Sequence, residues 1–151
     1  MVKKGTTVAN RLNREKSTDI KYKNLINRTG PLNKKALKDI FTLALAYGYM
    51  KKAKVPIQAK GAFINSENFG KNLTSSINAL AITKSEKGIH ILAEDTSEIY
   101  DVSEQYANGG LDLLEREYVN HEDEFIEKLR YYIIKNNKDD RIIKKIESMD
   151  L

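Results

Sequence analysis

Cysteine is absent from this 151-residue chain. Disulfides, thiolate nucleophiles, zinc ribbons and iron–sulfur clusters, which all need its sulfur, are therefore excluded, and a reducing compartment fits. Histidine is nearly as scarce, with only His90 and His121. The run His121-Glu122-Asp123-Glu124-Phe125 lacks the second histidine, four residues on, that a zinc protease helix supplies. A cap or surface role suits His121, and a core or boundary position suits His90 in its apolar run. No hydrophobic run approaches the length of a membrane span, and Met1 to Glu15 is basic and polar where a secretory signal would be apolar. These features predict a cytoplasmic protein with no membrane contact.

Glycines 61, 70, 88, 109 and 110 compose neither a phosphate-binding loop with its lysine nor a dinucleotide fingerprint. The acids Glu115, Glu117, Glu122, Asp123, Glu124 and Glu127 lack the spacing of a calcium loop and read as a solvated helix start. The expectation is thus no catalytic residue, no metal site and no cofactor: a binding or assembly protein rather than an enzyme.

Charge is abundant and unevenly placed. Residues 1–71 hold 16 Lys and Arg against 4 Asp and Glu, a net of +12, whereas residues 72–151 hold 10 against 17, a net of −7. Three causes fit such asymmetry: a nucleic-acid face, a surface for an acidic partner, or pairing of the protein's two halves within one copy or between copies of a homo-oligomer. The cations available for phosphate are Lys3, Lys4, Arg11, Arg14, Lys21, Lys23, Arg28, Lys34, Lys35, Lys51, Lys52, Lys54 and Lys60, with Tyr22, Tyr47 and Tyr49 interleaved for stacking. No sequence-reading motif accompanies them, so binding would be directed at the backbone and steeply salt-dependent. DNA or RNA would satisfy this chemistry, and so would an acidic protein.

The composition, 40% hydrophobic and 31% charged, is that of a folded globular chain. Apolar spacing predicts a mainly α, compact, multi-helix single domain over 17–151, preceded by a basic flexible arm over 1–16 and containing at most one short β-hairpin. The clearest element runs over 33–50, capped by Asn33, with Ala36, Leu37, Ile40, Phe41, Ala44, Leu45 and Gly48 at three-four spacing. Other helices are expected near 17–28, 73–84, 97–117, 122–136 and 139–149. Residues 51–71, with Pro56, read as a basic irregular loop that could hold the hairpin, and 88–94 fits helix or strand. Asn108-Gly109-Gly110 interrupts the 97–117 helix, because adjacent glycines cost about 1 kcal/mol each in a helix interior. Either they close one helix and admit close packing of the next, or they leave bare backbone for a partner.

Ala46-Tyr47-Gly48-Tyr49, Val55-Pro56-Ile57 and Glu104-Gln105-Tyr106-Ala107-Asn108-Gly109-Gly110-Leu111, in that order, resemble the small accessory proteins encoded beside DNA phosphorothioation (Dnd) modification and restriction genes, over about residues 35–115. The middle component of three-part antiphage ATPase systems is a second resemblance. Either implies a role in an anti-phage defence complex with protein partners, and neither carries over catalytic residues. Tyr49, Tyr106, Asn108, Gly109 and Gly110 are the candidate partner-docking residues.

Overall fold

The computed structural model describes residues 10–93, 96–136 and 138–148. It is mainly α with one two-stranded antiparallel sheet, as predicted. In chain order come β1 (Arg11–Glu15), α1 (Asp19–Asn27), α2 (Leu37–Met50), β2 (Lys60–Asn65), α3 (Gly70–Lys84), α4 (Thr96–Asn120), α5 (Glu122–Asn136) and α6 (Asp140–Glu147). The undecided stretch after α3 is a 3-10 turn, Gly88–Ala93. Contacts divide the chain into two compact units, one ending at Leu113 and the other beginning at Leu114. Among the described residues no helix is long and apolar enough to cross a membrane.

In the first unit α2 buries Ile40, Phe41, Ala44, Leu45, Tyr47 and Gly48, the stripe that its three-four spacing predicts. It starts four residues later than expected. Asn33 does not cap it but closes the exit of α1: its backbone N–H donates to Gly30 O at 3.0 Å, and its side-chain amide donates to Ile26 O at 3.3 Å. Lys34, at φ 57°, then turns the chain toward α2.

Residues 1–9 of the expected arm lie outside the described residues, but Arg11–Glu15 form a strand. Leu12 opposes Ile64 and Asn13 opposes Ala62, so Phe63 is left unopposed as a β-bulge. The Phe63 ring meets Tyr22 at 4.6 Å and Phe41 at 6.1 Å between centroids, and the Arg14 guanidinium lies 5.4 Å from its centroid. Leu12, the only apolar residue of β1, is completely buried. A strand with one apolar residue, whose partner lies some fifty positions away, offers no local pattern to read.

The helix over Asn108-Gly109-Gly110 is not interrupted; α4 runs straight through. The glycines serve close packing instead. A Cβ on Gly110 would collide with the Ala44 carbonyl oxygen and lie 2.6 Å from the Gly48 nitrogen. One on Gly48 would strike the Tyr106 carbonyl, and one on Gly109 the Ala53 carbonyl. Backbones of α2 and α4 therefore touch, and the chain leaving α2 lies against α4. Val55 N–H donates to Gln105 O at 3.1 Å, and the Asn108 side-chain amide donates to Val55 O and Pro56 O at 3.2 and 3.4 Å. Glu15 accepts the backbone N–H groups of Gln58 and Ala59 at 2.7 and 3.0 Å. Of the stretch 51–71 predicted as an irregular loop, residues 53–59 are thus pinned and Lys60–Asn65 form β2.

Glu104, buried on α4, fastens β1 to that helix. Its Oε1 accepts the Asn13 backbone N–H at 2.8 Å and the Asn13 side-chain amide at 3.2 Å. Its Oε2 is buried without a hydrogen bond, 3.6 Å from Lys60 Nζ. Burial pushes its carboxyl pKa up, opposed by the Asn13 bond and by Lys60. In the second unit the Tyr118 ring meets Phe125 edge-on at 5.7 Å, and Asp139 caps α6 by accepting Arg141 N–H at 3.0 Å.

Three stability outcomes follow, each checked by urea unfolding. Gly110→Ala forces α2 and α4 apart and costs about 1–3 kcal/mol or more, as overpacking does; an unchanged midpoint would contradict the close contact. Leu12→Ala costs about 2–5 kcal/mol, as expected for a core leucine, whereas a residue on a loose arm would cost nothing. Because Glu104 holds its proton more tightly when folded, its contribution is largest at low pH and falls as pH rises through its folded pKa. Glu104→Gln keeps the acceptor for Asn13 but removes the titration, so its stability relative to wild type rises as pH climbs above the ordinary carboxylate range. Parallel pH profiles would refute this.

Candidate functional site

The first unit sorts the predicted cations into two groups. Arg14 and Lys23 both pair with Asp19, at 2.9 and 2.7 Å, and hold its carboxyl below the usual range, Lys23 most strongly. Lys21 pairs with Asp112. Lys60 reaches Asp101 at 2.6 Å, and that hydrogen bond raises its pKa. Bases of the front half thus meet acids of the back half inside one copy, one of the three causes the charge asymmetry allowed. Arg28 has its Nε buried, and Lys3 and Lys4 lie outside the described residues. Arg11, Lys34, Lys35, Lys51, Lys52 and Lys54 make no ion pair among the described residues.

Three of these six, Lys51, Lys52 and Lys54, follow α2 directly, and Lys51 and Lys54 lie against tyrosines. Tyr49 and Tyr106 meet edge to face, 5.7 Å between centroids. Lys84 Nζ lies 5.3 Å from the Tyr49 centroid and 5.7 Å from that of Tyr106. Lys54 lies 5.9 Å from Tyr106, and Lys51 lies 5.7 Å from Tyr47. Such cation–ring contacts contribute about 0.5–1 kcal/mol at exposed sites. Lys52, at φ 56°, turns the chain out of α2. Sequence reasoning missed Lys84, the last residue of α3: it belongs to the acidic half of the chain, and only the packing of α3 on α2 brings it to Tyr49.

Beside this cluster α2 and α3 leave an apolar groove of about 170 Å³ lined by Leu45, Ala46, Tyr49, Ser76, Ala79, Leu80 and Thr83. A wider cleft of about 480 Å³ shares Ala46 and continues along the same two helices past Thr42, Lys38, Asp39 and Lys71. Of the expected docking residues, Tyr49 is 42% exposed, while Tyr106 is buried. The backbone of Ala44 and Ala53 occupies the space beside Gly110 and Gly109, and Asn108 holds the chain at Val55 and Pro56. That motif binds the protein's own chain.

In the second unit the acids open α5 and pair along it, Glu124 with Lys128 at 2.7 Å and Glu127 with Arg130 at 3.4 Å. His121 lies 3.8 Å from Glu124, both exposed. His90, expected in the core or at its boundary, is exposed on its 3-10 turn. Among the described residues no group of three or more His, Asp and Glu side chains is placed to hold a metal ion.

Comparison with known proteins adds one finding. The family model of DNA sulphur modification system-associated protein 4 matches residues 11–151. No curated protein and no solved structure matches the chain. The match bears out the resemblance to Dnd-associated accessory proteins and extends it from about 35–115 to β1 and to α5 and α6. With that coverage, the chain belongs to the DNA sulphur modification system-associated protein 4 family.

Proposed function

We propose that this protein is a non-enzymatic accessory subunit of a DNA sulphur modification system, contacting DNA through the end of α2 and the segment after it while joining the other proteins of the system. The observation that carries the reading is the sorting of cations. Lys21, Lys23 and Lys60 have carboxylate partners, whereas Lys51, Lys52, Lys54 and Lys84 have none among the described residues, and Lys84 lies over the exposed Tyr49 ring. Unneutralised ammonium groups release counterions when they meet phosphates, which is the main source of sequence-independent affinity. The family's association with DNA modification supplies a target of that charge.

An adaptor also needs a face for protein. The second unit offers one on α5, where Tyr131 is 65% exposed and Tyr132 and Ile133 are each 39% exposed. Aromatic residues are enriched where proteins meet.

Duplex binding by the purified protein tests the reading. Affinity should fall steeply with salt, and each of Lys51→Ala, Lys52→Ala and Lys54→Ala should lower the log–log salt slope by about 1. Lys21→Ala and Lys23→Ala, which remove paired cations, should leave the slope unchanged. Absence of binding at low salt, alone or in complex with the system's other proteins, would overturn the DNA contact.

A further inference from the structure

We infer that the groove between α2 and α3 beside Tyr49 receives one unstacked nucleobase, so that the protein recognises unpaired nucleotides in addition to double-helical backbone. This rests on the DNA-contacting reading above and narrows it to a substrate class. Four observations converge on the groove.

Its walls are apolar or carry only small hydroxyls, from Leu45, Ala46, Ala79, Leu80, Ser76 and Thr83, and the ring of Tyr49 closes one side. Such walls suit the face of a planar ring and repel a phosphate. Its volume, about 170 Å³, falls below the roughly 300–1,000 Å³ of a site for a whole small molecule. It fits one ring system.

Tyr49 is also held in place. Tyr106, itself buried, supports it edge-on at 5.7 Å, and α2 is locked to α4 by the Gly48–Gly110 contact. A rigid exposed ring is a stacking platform, and every base has a face to stack on it. Ammonium groups gather at this end, with Lys84 over Tyr49 and Lys54 over Tyr106, which meets Tyr49 edge-on. At the other end the shared Ala46 leads into the wider cleft that carries Lys38 and Lys71 beside a single acid, Asp39. Cations at both ends of a short apolar slot give a strand's phosphates a place on each side of an inserted base. A protein side chain could fill the slot by shape, but an acidic partner offering only surface carboxylates would leave the apolar walls unused.

The test compares fluorescence anisotropy of a labelled single-stranded oligonucleotide with that of the blunt duplex of the same sequence, at matched salt, for the full chain. Tyr49→Leu, which keeps an apolar residue but removes the ring, should weaken single-strand binding roughly tenfold and duplex binding by clearly less. Tyr49→Phe should bind both as the wild type does, and thermal melting of each variant confirms that it folds. If the wild type binds duplex but Tyr49→Leu weakens both ligands equally or neither, the base site is overturned while the DNA-contact reading stands. If the wild type binds neither, both fall. Loss of association with the system's other proteins in Tyr49→Leu, with single-strand affinity unchanged, would assign the groove to a protein side chain and also overturn the proposal.

Discussion

The contact of bare backbone between α2 and α4 is the constraint on which the first unit depends. Helix axes pack 8–10 Å apart when side chains separate them, and Gly48 and Gly110 remove the side chains that would hold these two helices away from each other. Once α2 is this close, the Ala53 carbonyl can settle on Gly109, and Asn108 and Gln105 can hold Val55 and Pro56. That fixes the path of residues 51–59, and with it the positions of Lys51, Lys52 and Lys54. The same path ends at β2, whose partner β1 is tied to α4 through Asn13 and Glu104. Fold and candidate site share one scaffold.

Electrostatics divides along this scaffold. Ion pairs on a surface contribute little to stability, of order 0–1 kcal/mol, so the pairs of Lys21, Lys23 and Lys60 matter less as glue than as neutralisation. They neutralise Lys21, Lys23 and Lys60, and among the described residues they leave Lys51, Lys52 and Lys54 without ion pairs, as they do Arg11, Lys34 and Lys35. Glu104 is the exception: it is buried, it orders a strand, and its charge is opposed by desolvation.

Much of the helical architecture was legible because it repeats locally. The stripe from Ile40 to Gly48 and the acid-first, base-later order of α5 announce themselves in any window of a dozen residues. What the sequence hid was long-range. RLNRE reads as polar arm because one buried leucine makes no period, and its partner strand lies beyond two helices. Asn108-Gly109-Gly110 looks like a break because local propensity penalises it, and tertiary packing overrides that penalty. Lys84 is invisible as a site residue since nothing nearby in sequence is aromatic. Sequence alone also does not say which of the candidate lysines meet carboxylates, as Lys21, Lys23 and Lys60 do. The family resemblance rested on segments that lock the core together, and for that reason it identified the family.

The exposed tyrosines of α5 belong to the second unit, and the chain belongs to a family named for its association with a DNA sulphur modification system. The central claim is that the phosphate-facing surface is the tyrosine–lysine cluster and not the basic half as a whole. Titration of DNA into isotope-labelled protein, followed by amide chemical shifts, tests this residue by residue. The account predicts shifts concentrated at residues 47–54 and around Lys84, with Lys21, Lys23, Lys60 and Asp112 unmoved. Shifts centred on Asp19, Lys21 and Asp112, or confined to α5, would contradict it.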